Sequence, residues 1–117
     1  MADTITIYQK PTCSTCRQTM QILKEAGGDY EAVNYYIDPI PKAKLKELLA
    51  KMKLSARDIL RTKEPVYKEL NLGGRELSDD EILDLMAEHP DLIQRPIVEK
   101  GKKAILARPA ERIKEIL

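Results

Sequence analysis

The sequence contains no tryptophan and no phenylalanine, so five tyrosines carry all of its aromatic character. The core must therefore be aliphatic. No apolar run approaches the ~20 residues that cross a bilayer. The first residues lack the basic region and apolar stretch of a signal peptide. No membrane contact is expected, and the expected location is cytoplasmic. Charge of one sign is also missing: 20 Lys and Arg against 19 Asp and Glu leave a net charge of +1. That balance argues against a basic surface made for direct nucleic-acid binding. Two cysteines are too few for a disulfide scaffold. Without a secretory signal, a dithiol is more often catalytic than structural.

What is present reads as one folded domain. A chain of 117 residues that is 43% hydrophobic can bury a modest core. A single domain over residues 1–117 is expected, acting as a monomer. Residues 4–8 alternate polar and apolar and predict a first strand. A helix is expected from about Ser14 to Ala26, with Cys16, Met20, Leu23 and Ala26 on one face. Gly27 and Gly28 supply a residue able to stop it. Residues 30–36 read as a second strand.

Pro41 suits the first turn of a helix that carries Leu45, Leu48, Leu49 and Met52. Lys42, Lys44, Lys46, Lys51 and Lys53 form its solvated side. Ser55 is a candidate cap for a short helix over 56–60, followed by a helical turn or two ending at Leu70. Ser78 to Glu81 is a capping box that opens a helix with Ile82, Leu85, Met86 and His89 on one face. His89, before Pro90, fits a structural role at that helix end. Arg95 begins a third strand, residues 100–102 form a hairpin turn, and residues 103–107 return. Arg108 and Pro109 open a last helix with Ile113, Ile116 and Leu117 inward. The order is β-α-β, a helical insertion at about 41–92, then β-β-α.

Cys13 and Cys16 stand between the first strand and the first helix, spaced C-x-x-C. The pair could be half a zinc site, but such a site needs four ligands and only His89 could join them. It could be two inert buried thiols. A C-x-x-C beside a βαβ pattern in a cytosolic chain reads most directly as a thioredoxin-like redox motif. At a strand-to-helix turn the first helical N–H groups lack partners, and they and the helix dipole favour an anion. They should lower the Cys13 pKa from about 8.5. Cys13 is the expected nucleophilic or redox thiol, and no metal is expected.

Arg61, Arg95 and Arg108 each follow the end of an element or precede a proline. Arginine suits tetrahedral oxyanions because its planar fork presents several donors. Arg95-Pro96 is a candidate cis bond. Spacing alone does not gather these arginines around Cys13.

The chain resembles the ArsC family, the glutaredoxin-coupled arsenate reductases with their Spx and YffB relatives. The likeness runs through residues 4–8 leading to Cys13, residues 55–65 and 67–72, His89-Pro90, residues 95–98 and Arg108-Pro109. It implies an α/β, thioredoxin-like fold with a mixed four-stranded sheet and a helical insertion. It also implies that Cys13 is the nucleophile of an arsenate reductase, that Arg61, Arg95 and Arg108 bind the oxyanion, and that Pro96 follows a cis bond. The reductant would be glutathione with glutaredoxin, or thioredoxin, with no bound cofactor.

Two residues depart from the reductase pattern. Gln9 stands where those enzymes usually carry histidine, so one cation near the thiol is missing. Cys16 stands where they often carry serine, and makes a C-x-x-C as in Spx. Cys16 is therefore expected to resolve the Cys13 adduct, in place of the glutathione that the resemblance implies. The competing expectation is an Spx-like redox regulator that binds RNA polymerase through a C-x-x-C switch. Arg61 and its surroundings match the reductases better.

Overall fold

A computed structural model describes residues 4–27 and 29–117. The chain divides into two compact units, one comprising residues 1–38 and 95–117 and the other residues 39–94. Gly28, one half of the expected helix stop, lies outside the described residues, as do residues 1–3.

The first unit is a four-stranded mixed sheet with its helices. Strand β1 (Ile5–Gln9) pairs in parallel with β2 (Tyr30–Asn34) and antiparallel with β3 (Ile97–Lys100), and β3 pairs antiparallel with β4 (Lys103–Leu106). The order is β2-β1-β3-β4. This is the thioredoxin-like arrangement that the alternation and the order of elements implied. β1 is central, so Ile7 meets Ala32 on one side and Val98 on the other. Ile7 is wholly buried.

Helix α1 (Ser14–Ala26) follows β1 through a tight turn. Ile5, Ile7, Leu23, Val98, Ala107, Ile113 and Ile116 form the core between sheet and helices, with Met20 packed against it. Each of the Ile, Leu and Val side chains taken out of water contributes about 1.5–3 kcal/mol. Gly27 ends α1 with φ 74°, its N–H donating to the Lys24 carbonyl at 3.2 Å. Such a positive φ is open to glycine at little cost.

Some details differ from expectation for local reasons. Ala26 is exposed, and Thr19 is buried in its stead. Its hydroxyl donates to the Thr15 carbonyl at 2.8 Å, so the polar group is satisfied inside the helix. β2 stops at Asn34 rather than residue 36, because Asn34 Oδ1 accepts from the Tyr36 N–H at 3.1 Å and turns the chain. β3 begins at Ile97, after a cis Arg95-Pro96 bond. The Arg108-Pro109 bond is cis as well. The last helix is a 3-10 segment, Ala110–Glu115, and Leu117 points outward at 44% exposure while Ile113 and Ile116 are buried.

The second unit is helical, apart from an isolated bridge between Leu60 and Ile93. Helix α2 (Lys42–Met52) buries Leu45, Leu48 and Leu49. Pro41 sits one residue earlier than expected, capping α2. A short α3 (Pro65–Glu69) precedes α4 (Asp79–Glu88). α4 buries Ile82, Leu83 and Met86, while Leu85 and His89 are half-buried. The lysine face of α2 is not only solvated: Lys42 Nζ lies 2.9 Å from Asp80 and 2.8 Å from Asp84 of α4, and Lys46 lies 3.2 Å from Asp80. Among the described helices, none is long and apolar enough to cross a membrane.

Candidate active site

Cys13 is the N-cap of α1, with φ −81° and ψ 124°. Its carbonyl accepts the Arg17 N–H at 3.0 Å, and its own N–H donates to the Lys10 carbonyl at 3.0 Å. The turn is thereby tied at both ends. Its sulfur accepts the backbone N–H of Cys16 at 3.4 Å. A side chain at an N-cap faces helix N–H groups that have no helical acceptor. The first turn of α1 contains no acidic residue to compete for that end of the dipole.

The two thiols are free and differ in character. Cys13 is half-buried, whereas Cys16 is fully buried. Burial alone would raise the Cys13 pKa. The Cys16 backbone N–H, the Cys16 thiol, and the hydrogen bond and charge of Arg95 together outweigh it and hold Cys13 below the ordinary thiol value. Burial pushes Cys16 up to about 12, and the neighbouring Cys13 sulfur adds to the rise. The pair thus separates into an ionisable thiol at the surface and a protonated thiol beneath it.

Arg95 is 6% exposed. It donates to Cys13 and to Tyr35, and its Nη1 donates to the Tyr36 hydroxyl at 3.1 Å. Burial disfavours its charge, but the tyrosine hydroxyls and the Cys13 sulfur more than offset this, and Arg95 remains a guanidinium. Arg108 is exposed, and its Nη1 donates to the Arg95 carbonyl at 2.9 Å. That bond joins the two cis Arg-Pro segments. It leaves the other nitrogens of the Arg108 fork available to an oxyanion.

Four of the residues singled out in the sequence, Cys13, Cys16, Arg95 and Arg108, belong to the sheet-bearing unit, as does Pro96. Arg61 belongs to the helical unit. There its Nε donates to Glu64 at 2.9 Å, its Nη1 donates to Gln94 at 3.4 Å, and its backbone N–H donates to Leu92 at 2.8 Å. Its side chain is half-buried and held in an extended chain of polar contacts. Among the described residues, no three His, Cys, Asp or Glu side chains are grouped as metal ligands.

Sequence reasoning missed Tyr35 and Tyr36. The end of β2 lies beside the end of β1 because the strands are parallel, so the residues after Asn34 emerge next to the turn that carries Cys13. A polar pair at the end of the neighbouring strand was the available signal.

The sequence model of the ArsC family matches residues 8–116. The chain belongs to the ArsC family. A relative from Escherichia coli (strain K12) named "Uncharacterized protein YfgD" is 41% identical over 118 residues, covering 100% of this chain and 99% of its own. A Rhizobium meliloti (strain 1021) protein named arsenate reductase is 40% identical over 114 residues, covering 97% of this chain and 81% of its own. The structure described as arsenate reductase from Vibrio cholerae superposes with a TM-score of 0.93 at 41% identity, over 100% of both chains. This ArsC-family chain thus shares its whole length and its thioredoxin-like fold with that enzyme.

Proposed function

We propose that this chain is a thiol-dependent arsenate reductase whose nucleophile is Cys13. The observation that carries the reading is the half-buried Cys13 sulfur at the cap of α1, with the Arg95 guanidinium bonded to it. An ionised thiol beside an arginine suits attack on a tetrahedral oxyanion. The arsenate reductases among its relatives supply the substrate.

The Cys13 thiolate attacks As(V) and forms a sulfur–arsenic bond, and one arsenate oxygen leaves as water after protonation. Arg95 and Arg108 hold the anion and stabilise charge on the departing oxygen, and Arg61 is proposed as the third arginine of the set. A second thiol then attacks the Cys13 sulfur. A disulfide forms, and the electron pair of the sulfur–arsenic bond stays on arsenic. Arsenic falls from As(V) to As(III) and leaves as arsenite, while two thiols are oxidised together.

Cys16 is proposed as that second thiol. Once Cys13 bonds to arsenic, its negative charge is gone, and with it one of the causes that hold Cys16 protonated. The alternative is glutathione arriving from solvent. A groove of about 350 Å³ runs along α1 beside the Cys13 turn, lined by Gln9, Pro11, Arg17, Met20, Gln21 and Lys24. Its two cations suit an anionic thiol peptide. Glutathione with glutaredoxin, or thioredoxin, then restores the dithiol. The reaction fits the cytoplasm, where such reductants keep thiols reduced.

The test is arsenite release from arsenate by the purified protein, with glutathione–glutaredoxin and with thioredoxin supplied separately. Cys13→Ser should abolish turnover. Cys16→Ser should abolish it with thioredoxin and spare glutathione-dependent turnover only if glutathione can resolve the adduct. Folded, reduced protein that releases no arsenite with either system overturns the reading.

A further inference from the structure

Two side chains near the Cys13 turn, Lys10 and Tyr36, are not used by the chemistry above. The Lys10 ammonium lies 4.8 Å from the centre of the Tyr36 ring. The Arg95 guanidinium carbon lies 5.9 Å from the same centre, and Arg95 Nη1 donates to the Tyr36 hydroxyl at 3.1 Å. Both cations fall within the range of an aromatic quadrupole, about 6 Å. One ring therefore meets two cations, and its hydroxyl takes a charge-assisted hydrogen bond from one of them.

Each of these side chains is tied to the Cys13 turn. The Lys10 carbonyl accepts the Cys13 N–H at 3.0 Å, which fixes where the Lys10 side chain starts. Arg95 donates to Cys13 itself. Tyr36 is steadied from behind by the buried Tyr35 ring, 5.2 Å away, and by its backbone bond to Asn34.

We infer that Tyr36 is a positioning residue: its hydroxyl fixes the Arg95 guanidinium on Cys13. The inference rests on the reading of Cys13 as the nucleophile and on nothing about the substrate. A tyrosine that merely packs would be replaced by phenylalanine without consequence for the thiol. A tyrosine that positions Arg95 would not.

The test is the pH dependence of Cys13 alkylation by iodoacetamide, measured in a Cys16→Ser background so that one thiol reports. Tyr36→Phe keeps the ring and removes the acceptor. Lys10→Met removes the ring's other cation and leaves the Arg95 bond in place. Tyr36→Leu removes both ring and hydroxyl. Tyr36→Phe should move the alkylation midpoint to higher pH and slow the reaction at pH 6 by about three- to tenfold, the size of one charge-assisted contact of ~1 kcal/mol. Rates at high pH, where every thiol is ionised, should stay within about twofold. Lys10→Met should track the parent, and Tyr36→Leu should be at least as slow as Tyr36→Phe. A Tyr36→Phe profile that superimposes on the parent overturns the inference. Because alkylation uses no arsenate, failure of the arsenate reading leaves these shifts in place, and their absence leaves that reading standing.

Discussion

Cys16 donates its backbone N–H to the Cys13 sulfur at 3.4 Å, while its own side chain is sealed from solvent. One residue thus stabilises the charged form of its neighbour through the backbone and keeps its own thiol neutral through burial. The separation is chemical as well as spatial. The outer thiol is the one that ionises readily, and the inner one stays protonated.

This division predicts ordered labelling. In the reduced protein near pH 7, a limiting amount of iodoacetamide should modify Cys13 at least tenfold faster than Cys16, since Cys13 lies below and Cys16 well above the ordinary thiol value. Fragmentation of the peptide that contains both cysteines reads the order directly. Arg95→Gln should slow Cys13 labelling at pH 6 and leave the order unchanged. Equal labelling of the two cysteines would contradict the division.

The raised Cys16 pKa also has a sign in stability. Its ordinary value is 9.0 and its folded value is about 12. Between those values the unfolded chain has lost the proton and the folded chain retains it. The unfolded state then binds fewer protons, so stability falls as pH rises through this window. The contribution is complete below pH 9.0 and lost towards pH 12. Thermal midpoints of the reduced protein should therefore drop more steeply above pH 9 than those of Cys16→Ser, which has no thiol to ionise there. Parallel slopes would remove Cys16 as the cause.

Much of this arrangement is legible in the sequence where the signal is local. The alternation of residues 4–8, the C-x-x-C at the following turn and the Gly27 stop all report geometry within a few residues. The Arg95–Tyr36 bond is not legible in this way, because its partners are 59 residues apart. Only the parallel pairing of β1 and β2 brings the end of β2 to the Cys13 turn. Thr19 shows a different limit. Its polarity predicts exposure, yet it lies three residues after Cys16 and four before Leu23 on the buried face, where a hydrogen bond to Thr15 satisfies its hydroxyl. Leu117 shows the converse, an apolar residue left outside because the closing 3-10 segment turns through three residues rather than 3.6.

The capping box of α4 offers a test of a local signal with a known scale. Ser78 Oγ accepts the Glu81 N–H at 3.2 Å, and the Glu81 carboxylate accepts the Ser78 N–H at 3.4 Å. Ser78→Ala removes the hydroxyl half and should cost about 1 kcal/mol. Ser78→Asp restores an acceptor near the positive end of the helix and should recover most of that loss. Urea unfolding midpoints of the three proteins check the order, and an alanine variant as stable as the parent would contradict it.

Arg108 provides the last prediction, because its two possible roles separate by substitution. Its Nη1 already donates to the Arg95 carbonyl at 2.9 Å. A lysine can keep one donor and the charge, but cannot donate to that carbonyl and to an oxyanion with one planar fork. If Arg108 binds arsenate, Arg108→Lys should raise KM for arsenate by about tenfold, the scale of one lost charge-assisted hydrogen bond. Labelling of Cys13 by iodoacetamide should barely change, since that reaction involves no oxyanion. If Arg108 instead only braces the Arg95 backbone, the two effects should move together: Arg95 would shift, the Cys13 thiolate would weaken, and labelling at pH 6 would slow along with turnover. Arsenate kinetics and labelling on the same preparation of Arg108→Lys distinguish the outcomes, and a KM unchanged from the parent would exclude Arg108 from the anion site.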